Sequence, residues 1–222
     1  MPQSTAIPEH QEPKPTEHAA EEAVPVPPTS VQEQTLSDNR LIKAAQAGDP
    51  EAFGTLYERY APTVFRYLYA HLDNLLDTED LTDEVFLKAW RALPRYKDYG
   101  LPITAFFLRI AHNRLIDHYR RIRKTAVDLE LMDDLEAGSA ADPGQQVAVS
   151  LEGQELRLTL GKLKVEYRSV LVARFLSGLS PQETAQVLGK SVGAVRVLQH
   201  RALAALRKLM LMDGLKRTNE NN

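Results

Sequence analysis

"SPQETAQVLGKSVGAVRVLQHRALAALRK", residues 180–208, decides the kind of fold before the rest of the chain is read. Ser180 and Glu183 form a capping-box pair, with Pro181 at the first helical position. Gly189 can close that helix in the left-handed conformation, and Ser191 caps the next. Two helices with so short a joint have helix-turn-helix spacing. On the second helix, Val195, Leu198, Ala202, Ala205, Leu206 and Leu209 share one side. Gly193, Arg196, Val197, His200 and Arg201 take the other. The small residues Gly193 and Ala194 let the start of that helix enter a major groove. There Arg196 and Arg201 can reach guanine edges or phosphates.

A second cationic helix lies upstream. In "ITAFFLRIAHNRLIDHYRRIRK", residues 103–124, an arc of Phe107, Leu108, Ala111, Leu115, Tyr119 and Ile122 must face a core. Opposite stand Arg109, His112, Asn113, Asp117, Arg120 and Arg123, with Phe106 and Ile116 among them and Arg121 alongside. Arginines around an amide suit phosphate contacts framing a base-reading group. Phe106 can stack on or wedge beside a base. The preceding loop "PRYKDYGLP" adds Tyr96, Lys97 and Tyr99, an aromatic and basic mixture that suits an unpaired strand. Taken alone, the cations would fit equally well as a solvated helix C-terminus.

Charge is segregated along the 222 residues, although the net charge is only −3. Residues 1–35 carry −5, residues 36–102 −3, residues 103–124 +5, residues 125–152 −7 and residues 153–217 +8. Basic modules alternating with acidic connectors are what a nucleic-acid binder with internal charge control displays. The chain has no Cys, which removes disulfides, thiolate zinc sites and thiol switches. The N-terminus has neither a basic start nor an apolar stretch, and no apolar run approaches the roughly 20 residues of a membrane span. A soluble, cytoplasmic protein without membrane insertion is expected.

Between these landmarks the pattern is helical throughout, without useful β-alternation, so the expected fold is all-α in two small lobes. Seven of the 13 prolines fall in residues 1–35, an acidic tail expected to be disordered. Ser37 reads as the cap of a first helix ended by Gly48, and Asp49-Pro50 as the start of a second. The second helix turns Phe53, Leu56, Tyr57, Tyr60, Val64, Phe65 and Leu68 inward and is expected to kink at Pro62. A third begins near Thr78, with Leu81, Val85, Ala89 and Leu93 inward. The boundaries are then a first domain at 36–124, an acidic linker at 125–150 with a helical turn around Leu129–Leu135, a second domain at 151–212 and a disordered tail at 213–222. A lobe of that size is marginal alone and needs a partner.

Four stretches in order, "GDPEAFGTLYERYAPTVFRYL", "EDLTDEVFLKAWRAL", "FFLRIAHNRLIDHYRR" and "LSPQETAQVLGKSVGAVRVLQHRALAALR", resemble the bacterial extracytoplasmic-function (group 4) sigma factors of the sigma-70 family. The resemblance covers about residues 38–124 and 151–210. It implies sigma domain two, a linker and sigma domain four, which bind core RNA polymerase and direct it to promoters. It implies docking on the β′ clamp helices through the exposed side of the third helix, with Asp80, Asp83, Glu84 and Lys88, and contact with the β subunit. It assigns the −10 element and strand opening to the fourth helix and its loop: Tyr96, Lys97, Tyr99, Phe106, Arg109, His112, Asn113, Asp117, Arg120 and Arg121. Asn113 falls at a base-reading position, and Phe106 stands where the family usually carries Trp. The −35 element falls to Lys190, Ser191, Arg196, Val197, His200 and Arg201. Promoter DNA and an anti-sigma factor are the further implied partners. Neither a cofactor nor a small-molecule substrate is implied.

Two other classes fit less. The six histidines (His10, His18, His71, His112, His118 and His200) include no pair at metal-ligand spacing within an acidic cluster, and there is no Gly-rich phosphate loop, so a metal site or catalysis is not expected. A stand-alone helix-turn-helix regulator accounts for the second lobe but leaves the first basic helix without a task. The acidic connector, with seven carboxylates and no base in residues 125–152, is expected to shield the basic faces in the free protein or to act as a plain spacer.

Overall fold

Gly48 (φ 96°) ends helix α1 (Val31–Gln46), and Asp49 Oδ1 then accepts from the N–H groups of Glu51 (2.9 Å) and Ala52 (3.2 Å). Helix α2 (Pro50–Leu72) therefore starts where the sequence places it. The computed structural model describes residues 31–72, 74–98, 100–128 and 151–220, and all regular structure in them is helical. After α2 come α3 (Leu75–Ala92), a 3₁₀ turn (Leu93–Arg95) and α4 (Ile103–Asp128). The second lobe holds α5 (Leu151–Gly161), α6 (Val165–Leu171), a π-type turn (Val172–Leu176), α7 (Pro181–Leu188) and α8 (Val192–Glu220).

In the first lobe α2, α3 and α4 bury Leu56, Val64, Tyr67, Leu68, Val85, Ala89, Phe107, Leu108, Ala111 and Leu115 almost completely. Each large apolar side chain so buried stabilises the fold by about 1.5–3 kcal/mol relative to exposure. Phe107 sits at the centre, 5.0 Å from the Phe86 ring and 5.5 Å from Tyr60. In the second lobe Leu160, Leu163, Val170, Val172, Val187, Val195 and Ala202 form the core. The two lobes are in contact: α7 lies against α4, and α5, α6 and the π-type turn lie against α2. The second lobe thus covers apolar surface that it could not bury by itself.

Several expectations shift. Helix α1 begins at Val31 rather than at Ser37, because Ser37 and Asp38 are used sideways. Asp38 pairs with Arg59 and accepts from the Tyr60 hydroxyl, while Ser37 Oγ lies 3.5 Å from Arg59 Nη1. Asn74, not a residue near Thr78, caps α3, its Oδ1 accepting from Leu76 N–H at 3.0 Å. Thr78 lies inside that helix and donates to the Asn74 carbonyl at 2.5 Å. Pro62 sits within an unbroken α2. Tyr57 is 39% exposed and Ile122 43% exposed, so neither is core. Tyr119 already reaches the end of α2, donating to the His71 carbonyl at 2.7 Å, so Ile122 projects past it. Helices α4 and α8 run on to Asp128 and Glu220, beyond the expected ends at 124 and 212. A single Gly214 costs about 1 kcal/mol in a helix and is not by itself a stop. Of the expected tail over 1–35, residues 31–35 belong to α1, and of the expected linker over 125–150, residues 125–128 belong to α4; residues 1–30 and 129–150, with the expected turn at Leu129–Leu135, lie outside the described residues.

Candidate nucleic-acid interface

The loop before α4 is fixed from α1. Gln46 Nε2 donates to the carbonyls of Leu93 (3.1 Å) and Tyr96 (2.8 Å). Asp98 Oδ1 accepts from the N–H of Gly100, whose positive φ of 74° the turn requires. Tyr96 is half-buried with its ring 4.8 Å from that of Phe106. Burial, and then the charge of Asp98, raises the Tyr96 pKa, so its hydroxyl stays a donor at neutral pH. Tyr96, Lys97, Pro102, Phe106 and Arg109 line a recess of about 200 Å³, to whose wall Gln186 of α7 contributes from the other lobe. An aromatic wall with cations at the rim can receive a flat, unpaired base. Tyr99 lies outside the described residues.

Along α4 the predicted face divides. Arg109, Asn113, Arg120 and Arg121 are exposed. Asp117 and Arg120 form an (i,i+3) pair at 3.5 Å. His112 departs from expectation: it is half-buried, its Nδ1 3.0 Å from the hydroxyl of the fully buried Tyr67. Burial, and then the charge of Lys190, pushes its pKa down to about 4, so His112 is neutral at pH 7 and no phosphate-binding cation. Phe106 is half-buried against Tyr96 and Phe107 rather than free-standing, so its ring is already oriented.

The helix-turn-helix forms as its capping residues direct. Ser180 Oγ accepts from Glu183 N–H (3.2 Å), and Glu183 Oε2 accepts from Ser180 N–H (2.7 Å). Gly189 is left-handed at φ 63°, and Ser191 Oγ accepts from Ala194 N–H at 3.2 Å. Ser191 therefore serves first as a cap. Arg174 ties α8 to the preceding turn, its Nε donating to Gln199 Oε1 at 3.0 Å. On the outer face Arg196, Val197, His200 and Arg201 are exposed, while Val195 and Ala202 are fully buried. A Cβ placed on Gly193 would meet nothing within 4 Å. The chain's own packing therefore does not require that glycine, and the clearance faces outward. Lys190 differs from its neighbours in being engaged, its Nζ 2.9 Å from Glu166 Oε1.

On α3, Asp80, Asp83 and Lys88 are exposed, and Asp83 accepts from the Tyr57 hydroxyl at 3.4 Å. Glu84 is half-buried and lies 3.8 Å from Arg114 Nη1. Sequence reasoning missed Leu87 (53% exposed) and Tyr57, which join this acidic surface. The signal was available: Leu87 follows Asp80, Asp83 and Glu84 at helical spacings of seven, four and three, an apolar residue on a charged stripe. Gln46, which fixes the aromatic loop, carried no such signal.

Two families match the chain, Sigma-70 region 2 over residues 56–125 and Sigma-70 region 4 over residues 153–206. The ECF RNA polymerase sigma factor BldN of Streptomyces coelicolor is 37% identical over 175 residues, which span 78% of this chain and 66% of BldN. The ECF RNA polymerase sigma factor ShbA of Streptomyces griseus subsp. griseus is 36% identical over 186 residues, covering 80% of this chain and 97% of ShbA. The solved structure of CnrH in complex with the cytosolic domain of CnrY superposes with a TM-score of 0.62 at 30% identity, covering 80% of this chain and 99% of CnrH.

Proposed function

The chain belongs to the extracytoplasmic-function sigma factors of RNA polymerase, and from that premise we propose how its two lobes divide promoter recognition. Helix α8 reads the −35 element as duplex, with Arg196 and Arg201 on guanine edges or phosphates and Val197 and His200 beside them. The recess of Tyr96, Lys97, Phe106 and Arg109, with Asn113 one helical turn beyond Arg109 on α4, holds unpaired bases of the −10 element. Promoter opening on this scheme needs no bond-making group from the chain. It needs unstacked bases to be held better than paired ones, and each base stacked on an aromatic side chain contributes about 1–3 kcal/mol. The outer face of α3, Asp80, Asp83, Glu84, Leu87 and Lys88, docks on the β′ clamp helices of core polymerase, and the second lobe meets the β subunit. CnrH was solved with CnrY, and by likeness an anti-sigma factor is a third partner here. No helix among the described residues is long and apolar enough to cross a membrane; the proposed work is in the cytoplasm, on DNA.

The observation that carries this reading is the pairing of an exposed cationic helix face with an aromatic recess on a separate lobe. Run-off transcription with core polymerase over a promoter library tests it. The mixture should yield transcripts from a defined set of start sites that core enzyme alone does not use. Unchanged start-site selection would contradict the proposal.

A further inference from the structure

We propose that Gln46, on a helix that carries none of the candidate DNA contacts, is a positioning residue for recognition of the −10 strand: its side-chain amide sets the path of the loop that brings Tyr96 and Lys97 to the recess. The proposal rests on the reading of that recess given above.

Burial alone does not fix this loop. Leu93 is fully buried, but Pro94, Arg95, Lys97 and Asp98 are exposed and Tyr96 is only half-buried. What holds the segment is a small set of hydrogen bonds. The Tyr96 N–H donates to the Leu93 carbonyl at 2.9 Å and closes the 3₁₀ turn. Tyr96 is itself extended (φ −64°, ψ 131°), so the turn ends there and its carbonyl leaves the helical ladder. The Gln46 amide takes over at that point. Nε2 reaches the Tyr96 carbonyl (2.8 Å) as well as the Leu93 carbonyl (3.1 Å), so its N–H groups serve both ends of one turn. Carbonyls only accept, which puts the nitrogen of the amide, not its oxygen, against the loop.

Gln46 can do this because its own place is fixed. It is the last residue of α1, in a turn that buries Ile42 and Ala45. The chain then turns sharply at Gly48, with the Asp49 N–H donating to the Ala44 carbonyl at 3.1 Å. Farther back on α1, Asp38 pairs with Arg59 and accepts from the Tyr60 hydroxyl, both on α2. The amide is therefore a strut from the α1–α2 pair to the loop. Gln46 does not line the recess. It acts through Tyr96, whose ring stands 4.8 Å from that of Phe106 and whose neighbour Lys97 lines the recess. Without the strut the Tyr96 carbonyl would turn to water, and the ring and Lys97 would lose their fixed relation to Phe106 and Arg109. A recess selects a base only as sharply as its walls are held.

Three substitutions separate positioning from simple support. Gln46→Met keeps the length and removes the donors, Gln46→Glu sets a carboxylate against two carbonyls, and Gln46→Lys keeps donors on an unbranched stem. All four side chains have similar helix propensity, so α1 is retained. Each full-length chain is combined with core polymerase, and active promoters are selected from libraries randomised over the −10 or the −35 element. At the most selective −10 position, preference for the favoured base should fall about threefold or more in Gln46→Met and further in Gln46→Glu, with the −35 preference unchanged. Gln46→Lys should retain most of the wild-type preference. Hydrogen exchange of the free chain supplies the second readout. The Tyr96 amide should exchange several-fold faster in Gln46→Met, while those of Leu108 and Leu115 in the core keep their wild-type rates. An unchanged −10 preference, with or without faster exchange at Tyr96, would overturn the proposal. So would an equal loss of preference at both elements, or a Gln46→Lys profile as degraded as that of Gln46→Met. Promoter-specific transcripts from the wild-type chain alongside any of these results would leave the sigma-factor reading standing. Absence of such transcripts from the wild-type chain would overturn that reading, and this proposal with it.

Discussion

The two DNA faces are built on opposite plans. On α8 the outward residues have few duties inside the protein: Arg196, Val197, His200 and Arg201 are exposed on a helix anchored by Val195 and Ala202. On α4 and its loop nearly every candidate is already engaged. Phe106 leans on Tyr96, His112 meets Tyr67, and Arg120 pairs with Asp117. Reading a closed duplex asks only for a rigid helix carrying free side chains. Holding an extruded base asks for a shaped recess, and shape requires side chains that hold one another. The second plan ties the recess to its surroundings, and here Gln186 of the neighbouring lobe forms part of its wall.

Breaking the joint between the lobes should have the largest effect. Arg168→Ala removes three buried hydrogen bonds, leaving the His71 carbonyl with Tyr119 and the Leu160 carbonyl with the Leu163 N–H, and loss of a buried charged partner destabilises by about 3 kcal/mol or more. Thermal unfolding followed by circular dichroism should show a clearly lowered Tm, whereas Arg196→Ala should leave Tm unchanged.

Phe106→Ala sharpens the contrast between the faces. It removes a stacking surface worth about 1–3 kcal/mol per base, so transcription from closed promoters should fall at least several-fold. A template already melted across the −10 region should recover most of that loss, while binding of duplex −35 DNA should not change.

Acidification tests the joint between the lobes from another side. His71 is held neutral where the lobes are packed together, its pKa lowered to about 3 by burial first and then by the charge of Arg168 and the neighbouring His112. Tyr67 from its own helix, Ser169 from α6 and Tyr119 from α4 are the other groups that face it. Once the lobes part, the ring returns toward the ordinary 6.5 and takes a proton more readily. The packing of the lobes is therefore undiminished above pH 6.5 and weakens as pH falls toward 3, by roughly tenfold at about pH 5.5. His112, whose pKa is also lowered while the lobes are packed and which is relieved of Lys190 when they part, acts with the same sign. The distance between spin labels placed one on each lobe should be longer at pH 5.5 than at pH 7.5.

Asp117→Asn should matter least to stability. The pair with Arg120 is surface-exposed, so its loss costs under about 1 kcal/mol, and single-stranded DNA binding should rise slightly as Arg120 is released.

The elements whose signals are local were legible in the sequence. The capping box of Ser180 and Glu183, the left-handed Gly48 and Gly189 and the sorted faces of α4 and α8 act over a few residues, and the structure contains them. What escaped depends on distant partners. Nothing in "VEYRSVL" around Arg168 announces a carbonyl 97 positions away. Ser37 has the residue type of a cap but faces Arg59, 22 positions on. His112 lies on the polar side of its helix by angle, yet the hydroxyl of Tyr67, 45 positions earlier, draws it inward. Angular sorting finds the side a residue occupies, not what waits there.

The central claim, that separate lobes read separate promoter elements, is tested most directly by selecting active promoters from a randomised library with core polymerase and two variants. Arg196→Ala should relax sequence preference at the −35 element and leave the −10 preference intact. Asn113→Ala should do the reverse. If either substitution altered both elements together, or neither, the division of labour between the two faces would be contradicted.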